Sequence, residues 1–144
     1  MIRVVLAVLL TVALLAAVTP AIDEGRTART AIHLDRVTDR IERAARSLRA
    51  HEDPTRPGVA GARRIVRFRL PARSWTAVGA RLWIDGDRNL IGYRLDGGRP
   101  HRTTLRDLDL RTPDGPVVFE RSARYRLAVS LVRSDGVGVT ITRG

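Results

Sequence analysis

The stretch "LLAAVTPAIDEGRTART", residues 14–30, runs from an aliphatic segment through a proline into charged sequence. Read as the end of a signal peptide, it leaves behind a secreted domain. Read as the middle of one helix, it roots the chain in a membrane. Upstream, Val4 to Ile22 carries no charged residue. As a helix this run spans about 28 Å at ~1.5 Å per residue, close to the ~30 Å hydrocarbon core of a bilayer. Arg3, the apolar run and Thr19-Pro20-Ala21 as a small-x-small site also satisfy a cleavable signal peptide. Pro20 inside that site, and a run longer than an ordinary signal core, favour retention.

Downstream, residues 23–49 contain no proline and one glycine, Gly25. Leu34, Val37, Ile41, Ala44 and Leu48 recur at three- and four-residue spacing, which makes an apolar stripe on a helix. Asp39–Arg43 and Glu42–Arg46 are acid-first i,i+4 pairs on its outer face. Pro54 stops the helix. A proline within a membrane helix bends it rather than ending it, so Pro20 need not separate the two halves. The expectation is a transmembrane segment over residues 1–22, an amphipathic continuation over 23–51 and a linker over 52–62.

From residue 63 the apolar period falls to two. "RRIVRFRL" (63–70) puts Val66, Phe68 and Leu70 on one side and Arg67 and Arg69 on the other. "ARLWID" and "NLIGYRL" flank the turn "DGDRN" (85–89), and "RYRLAVSLVR" and "VGVTITRG" flank Ser134-Asp135-Gly136. Alternating runs between Asp-Gly turns predict an antiparallel meander of about six strands over residues 63–144. Its apolar face needs a cover, and Leu34, Val37, Ile41 and Leu48 supply one. The fold class is therefore α+β.

The 144-residue chain has no cysteine, which excludes disulfides and thiolate metal sites. All 26 basic residues are arginine, and the net charge is +11. The missing lysine reads as coding bias in a GC-rich genome. The charge favours acidic partners.

The order of elements resembles the type IV pilin and pseudopilin family. The likeness lies in Ala16-Ala17, Pro20-Ala21 and Asp23, which follow an aliphatic run in the order that pilins show. The chain also resembles a small haloarchaeal family linked to type IV pilus-like secretion systems, through "MIRVVLAVLL" and "PGVAGARRIVRFRLPARS". The resemblance implies a pilin-like layout and a structural role beside other pilin-like or secretion-system subunits. Only Met1-Ile2-Arg3 precedes the apolar run, and Arg3 falls near the family's acidic position. An accessory or minor subunit is therefore expected rather than a major filament subunit.

The sequence offers little chemistry. Asp85, Asp87, Asn89 and Asp96 overlap a calcium-loop pattern, but Leu90 stands where its glycine belongs, and a hairpin turn reads better. His33, His51 and His101 have no metal-ligand spacing, and no serine lies in a nucleophile elbow. Neither an enzyme nor a cofactor is expected. Arg64, Arg67, Arg69, Arg124 and Arg126 make a candidate partner surface for acidic protein or anionic lipid. Nucleic acid is disfavoured, because most aromatics fall on the face expected to be buried.

The leading expectation is a single-pass, pilin-like subunit of the cell membrane. Arg26, Arg29, Arg36 and Arg40 outnumber Arg3, which taken alone would keep the domain inside. Folded domains cross largely regardless of charge, so the C-terminal domain is expected outside. The alternatives are a secreted or envelope β-domain with a cleaved signal peptide that binds a protein or ligand, and an envelope DNA-binding module.

Overall fold

The computed structural model describes residues 1–59, 61–134 and 136–144. Ala60 of the linker and Asp135 of the Ser134–Gly136 turn lie outside the described residues. One helix, α1, runs from Ile2 to His51 with Pro20 inside it. Among the described residues eight strands follow: β1 (Arg63–Arg69), β2 (Ala80–Asp85), β3 (Leu90–Leu95), β4 (Pro100–Thr104), β5 (Leu110–Arg111), β6 (Val117–Phe119), β7 (Arg124–Arg133) and β8 (Val137–Arg143). The α+β class is as expected, with α1 against mostly antiparallel strands.

The strands do not form one meander. They divide into two four-stranded sheets, ordered β1-β7-β8-β5 and β4-β3-β2-β6. The connection over residues 70–79, with Pro71 in it, is too long for a tight hairpin. β1 therefore pairs with distant β7, and β2 starts the second sheet with β3. "HRTTLRDLDL" also splits into β4 and β5, and β5 pairs with β8 in parallel.

The second half of α1 covers the inner faces of both sheets. Leu34, Val37, Ile41, Ala45 and Leu48 are buried with Val66, Phe68, Ile91, Tyr93, Leu127, Val129 and Ile141 in one core. Ala45 takes the buried place on the stripe, and Ala44 is half-buried beside it. Phe68 and Phe119 join the sheets edge-to-face at 5.1 Å, with the Arg143 guanidinium 5.0 Å from the Phe119 centroid. Glu42 and Arg46 pair at 2.7 Å as expected. Arg43 Nε donates instead to the Asp39 carbonyl.

Tyr93 fastens α1 to the second sheet by donating its hydroxyl hydrogen to Asp35 at 2.7 Å. Burial first, and then that bond to a carboxylate, hold the phenol well above its ordinary 10.0. The folded chain thus keeps a proton that the unfolded chain loses above pH 10. The stabilisation is complete below that value and is lost as the pH rises past it. Tyr93→Phe should cost about 1 kcal/mol at neutral pH and flatten the alkaline slope. Urea titrations at pH 7 and above 10 check this, and an unchanged slope in the variant refutes it.

Candidate membrane anchor and arginine surfaces

Nothing among the described residues covers the first half of α1. Its large apolar side chains are exposed throughout, from 78 % at Ile2 to 47 % at Ile22. The helix is long and apolar enough to cross a membrane, as an anchor or a signal sequence would be. Its two hydroxyls are paired internally: Thr11 and Thr19 donate to the carbonyls of Ala7 and Leu15 at 2.8 and 2.9 Å. That suits an apolar solvent, where an unpaired hydroxyl is costly.

A ladder of contacts fixes the β-domain along the second half. The Val78 N–H donates to Thr30 Oγ1 at 3.2 Å, and His33 Nε2 donates to the Arg69 carbonyl at 2.8 Å. Arg46 bonds Asp107 at 2.9 Å, and Arg64 lies 3.9 Å from Glu52. β1 thus runs antiparallel to α1. Its Arg69 end, with the loop over residues 71–79, points back toward the apolar half.

The β1–β7 register sets Arg67 opposite Arg126 and Arg69 opposite Arg124. Directly opposed residues share a face, so these four guanidinium groups stand together on the outer side of the first sheet. None of them makes an ion pair among the described residues. Arg64 does not join them. It has the parity of Val66 and Phe68 and lies beside the last turns of α1, sharing a groove with Arg43 and Ser47, with Glu52 3.9 Å away.

Sequence reasoning missed a second basic surface. Arg81, Trp83, Arg94 and Arg102 line an open groove of about 680 Å³ on the outer side of the second sheet. The Trp83 ring lies over Gly92, where a Cβ would come within 2.5 Å of it. The signal was present as alternation in three separate runs, but only the strand register unites them. Most aromatics are covered as expected: Phe68, Tyr93 and Phe119 are buried and Tyr125 packs against the core, whereas Trp75 is 81 % exposed.

The four calcium candidates do not come together. Asp85 and Asn89 flank the β2–β3 turn, while Asp96 follows β3 and bonds Gly79 at the other end of that hairpin. Asp85 instead accepts from the Arg88 N–H at 3.1 Å. Asn89, at φ 54, donates its amide hydrogens to the carbonyls of Leu105 and Leu108 and accepts from the Leu110 N–H at 3.0 Å. It is a clamp on the loop before β5. Asp87 is exposed in the same turn. No group of three or more metal-ligating side chains occurs among the described residues.

The model of one protein family, described as "Domain of unknown function (DUF7311)", matches residues 1–144. No curated protein and no solved structure matches the chain. A long apolar N-terminal helix followed by β-sheets is a pilin-like layout, while the family matched is described only as a domain of unknown function.

Proposed function

The chain belongs to the family described as Domain of unknown function (DUF7311), and from that premise we propose that it is a non-enzymatic, pilin-like structural subunit of a membrane-associated pilus or secretion assembly. The observation that carries this reading is the division of labour within α1. Its exposed apolar half suits a bilayer, and its other half supplies Leu34, Val37, Ile41 and Leu48 to the core. The helix thus roots the domain in the membrane as a single pass, with the C-terminal domain outside. The face bearing Arg67, Arg69, Arg124 and Arg126 runs alongside the helix and looks sideways. Neighbouring acidic proteins of the assembly are its natural partners, since opposed guanidinium groups favour a carboxylate between them.

Intact mass and N-terminal sequencing of the native protein, extracted from membranes with detergent, test the reading. The expected result is a mature protein that retains residues 4–22, is shaved by protease on whole cells, and brings acidic proteins with it. Changing Arg67 and Arg69 to Ser should reduce that recovery severalfold. A soluble protein starting at Ile22 overturns the proposal in favour of a secreted β-domain. A domain fully protected in whole cells reverses the topology. Sequence-dependent retention on DNA would transfer the function to the Trp83 groove, where a ring for base stacking lies among arginines.

A further inference from the structure

We infer that the loop over residues 71–79 is a second, interfacial contact with the membrane: Trp75 seats among the headgroups, and Arg73, Arg99 and Arg121 bind anionic lipid around it. The inference rests on the reading of α1 as a bilayer anchor. The argument is one of height. The apolar run ends at Ile22, and the loop is bonded to α1 at Thr30. Eight residue steps of helix lie between the two, about 12 Å of rise. Headgroups occupy roughly the first 5–7 Å outside the hydrocarbon. Trp75 sits at the bend of a turn closed by the Ser74 N–H on the Ala77 carbonyl at 2.9 Å, so it stands at the tip of the loop, no more than about 10 Å from Val78. The indole therefore comes within range of the headgroup layer.

The exposure of Trp75 agrees. At 81 % it is the one tryptophan without cover, since Trp83 lies against Gly92. Tryptophan, with an apolar ring and one N–H, concentrates at the membrane–water boundary. The same end of the domain is cationic. Asp96 bonds Gly79, which brings the turn that carries Arg99 beside this loop. The Leu70 N–H bonds the Ala123 carbonyl, which brings the loop of Arg121 there as well. Arg73, Arg99 and Arg121 are exposed and make no ion pair among the described residues. The nearby Glu120 is taken up by Arg81 at 3.0 Å. The occupant is a bilayer rather than a soluble anion, because α1 holds this end against one.

The test uses the full chain in vesicles of phosphatidylcholine alone or mixed with phosphatidylglycerol, with bromines at a shallow acyl position. Trp75→Phe should fold normally, since the side chain makes no core contact. Bromolipid should quench part of the native tryptophan emission, and that part should vanish in Trp75→Phe. Quenching should rise with phosphatidylglycerol and fall with salt. Each of Arg73→Gln, Arg99→Gln and Arg121→Gln should lower the seating equilibrium on anionic vesicles by roughly fivefold. A chain that floats with the vesicles but shows no Trp75 quenching overturns the inference and leaves the anchor intact. A chain that does not float overturns both. Quenching indifferent to lipid charge and to all three arginines removes the anionic lipid and overturns the inference as stated.

Discussion

Replacing Ile41 with alanine should lower the stability of the β-domain by about 2–5 kcal/mol. Ile41 is fully buried, midway along the stripe that closes both sheets. Losing its outer carbons removes apolar burial and leaves a cavity, because a rigid helix pinned by Thr30, His33 and Asp35 cannot sink to fill it. Ile32, half exposed on the other side of α1, is the control, and its change to alanine should stay within about 0.5 kcal/mol. Denaturant unfolding of the full chain in mild detergent, followed by tryptophan emission, measures both. Equal effects at the two positions would mean that the stripe does not seal the core in solution.

Asn89→Ala should cost about 2–4 kcal/mol, unusually much for a turn residue. The substitution removes three hydrogen bonds, strips the Asn89 partner from the Leu108 carbonyl and the Leu110 N–H, and leaves the Leu105 carbonyl with the Leu108 N–H at 3.2 Å. It also puts a Cβ-bearing residue that lacks asparagine's local bonds at φ 54. Asn89→Gly separates these causes. Glycine accepts the left-handed backbone, so it should recover only the backbone part, roughly 1 kcal/mol, and stay well below the native protein. A glycine variant as stable as wild type would show that the conformation matters and the clamp does not. If bound calcium mattered, chelator would mimic the substitution. Unchanged stability of the native chain in chelator is the expected result.

The helix was readable because its signals are local. The stripe, the i,i+4 pairs and the stop at Pro54 lie within one run. The longer strands were readable by alternation, which needs only a few residues. The sheet partition was not, because the β1–β7 pairing joins segments some sixty residues apart. β5 and β6, two and three residues long, are too short to show any period. The arginine face was legible to the extent that parity is legible. Arg67, Arg69, Arg124 and Arg126 follow it, and Arg64 departs from it by the same rule. The Asn89 clamp was hidden because its three partners belong to a distant loop. Trp75 was hidden because a lone aromatic in a loop carries no burial signal in sequence.

The unbroken run of α1 from Ile2 to His51 makes it a drive shaft rather than a tether. With the β-domain keyed to it at Thr30 and His33, the compass bearing of the Arg67–Arg126 face is locked to one side of the exposed apolar half of the helix. Each residue of helix turns that bearing by about 100°. The short span between Ile22 and Thr30 therefore works as a gear whose tooth count sets which way the domain looks.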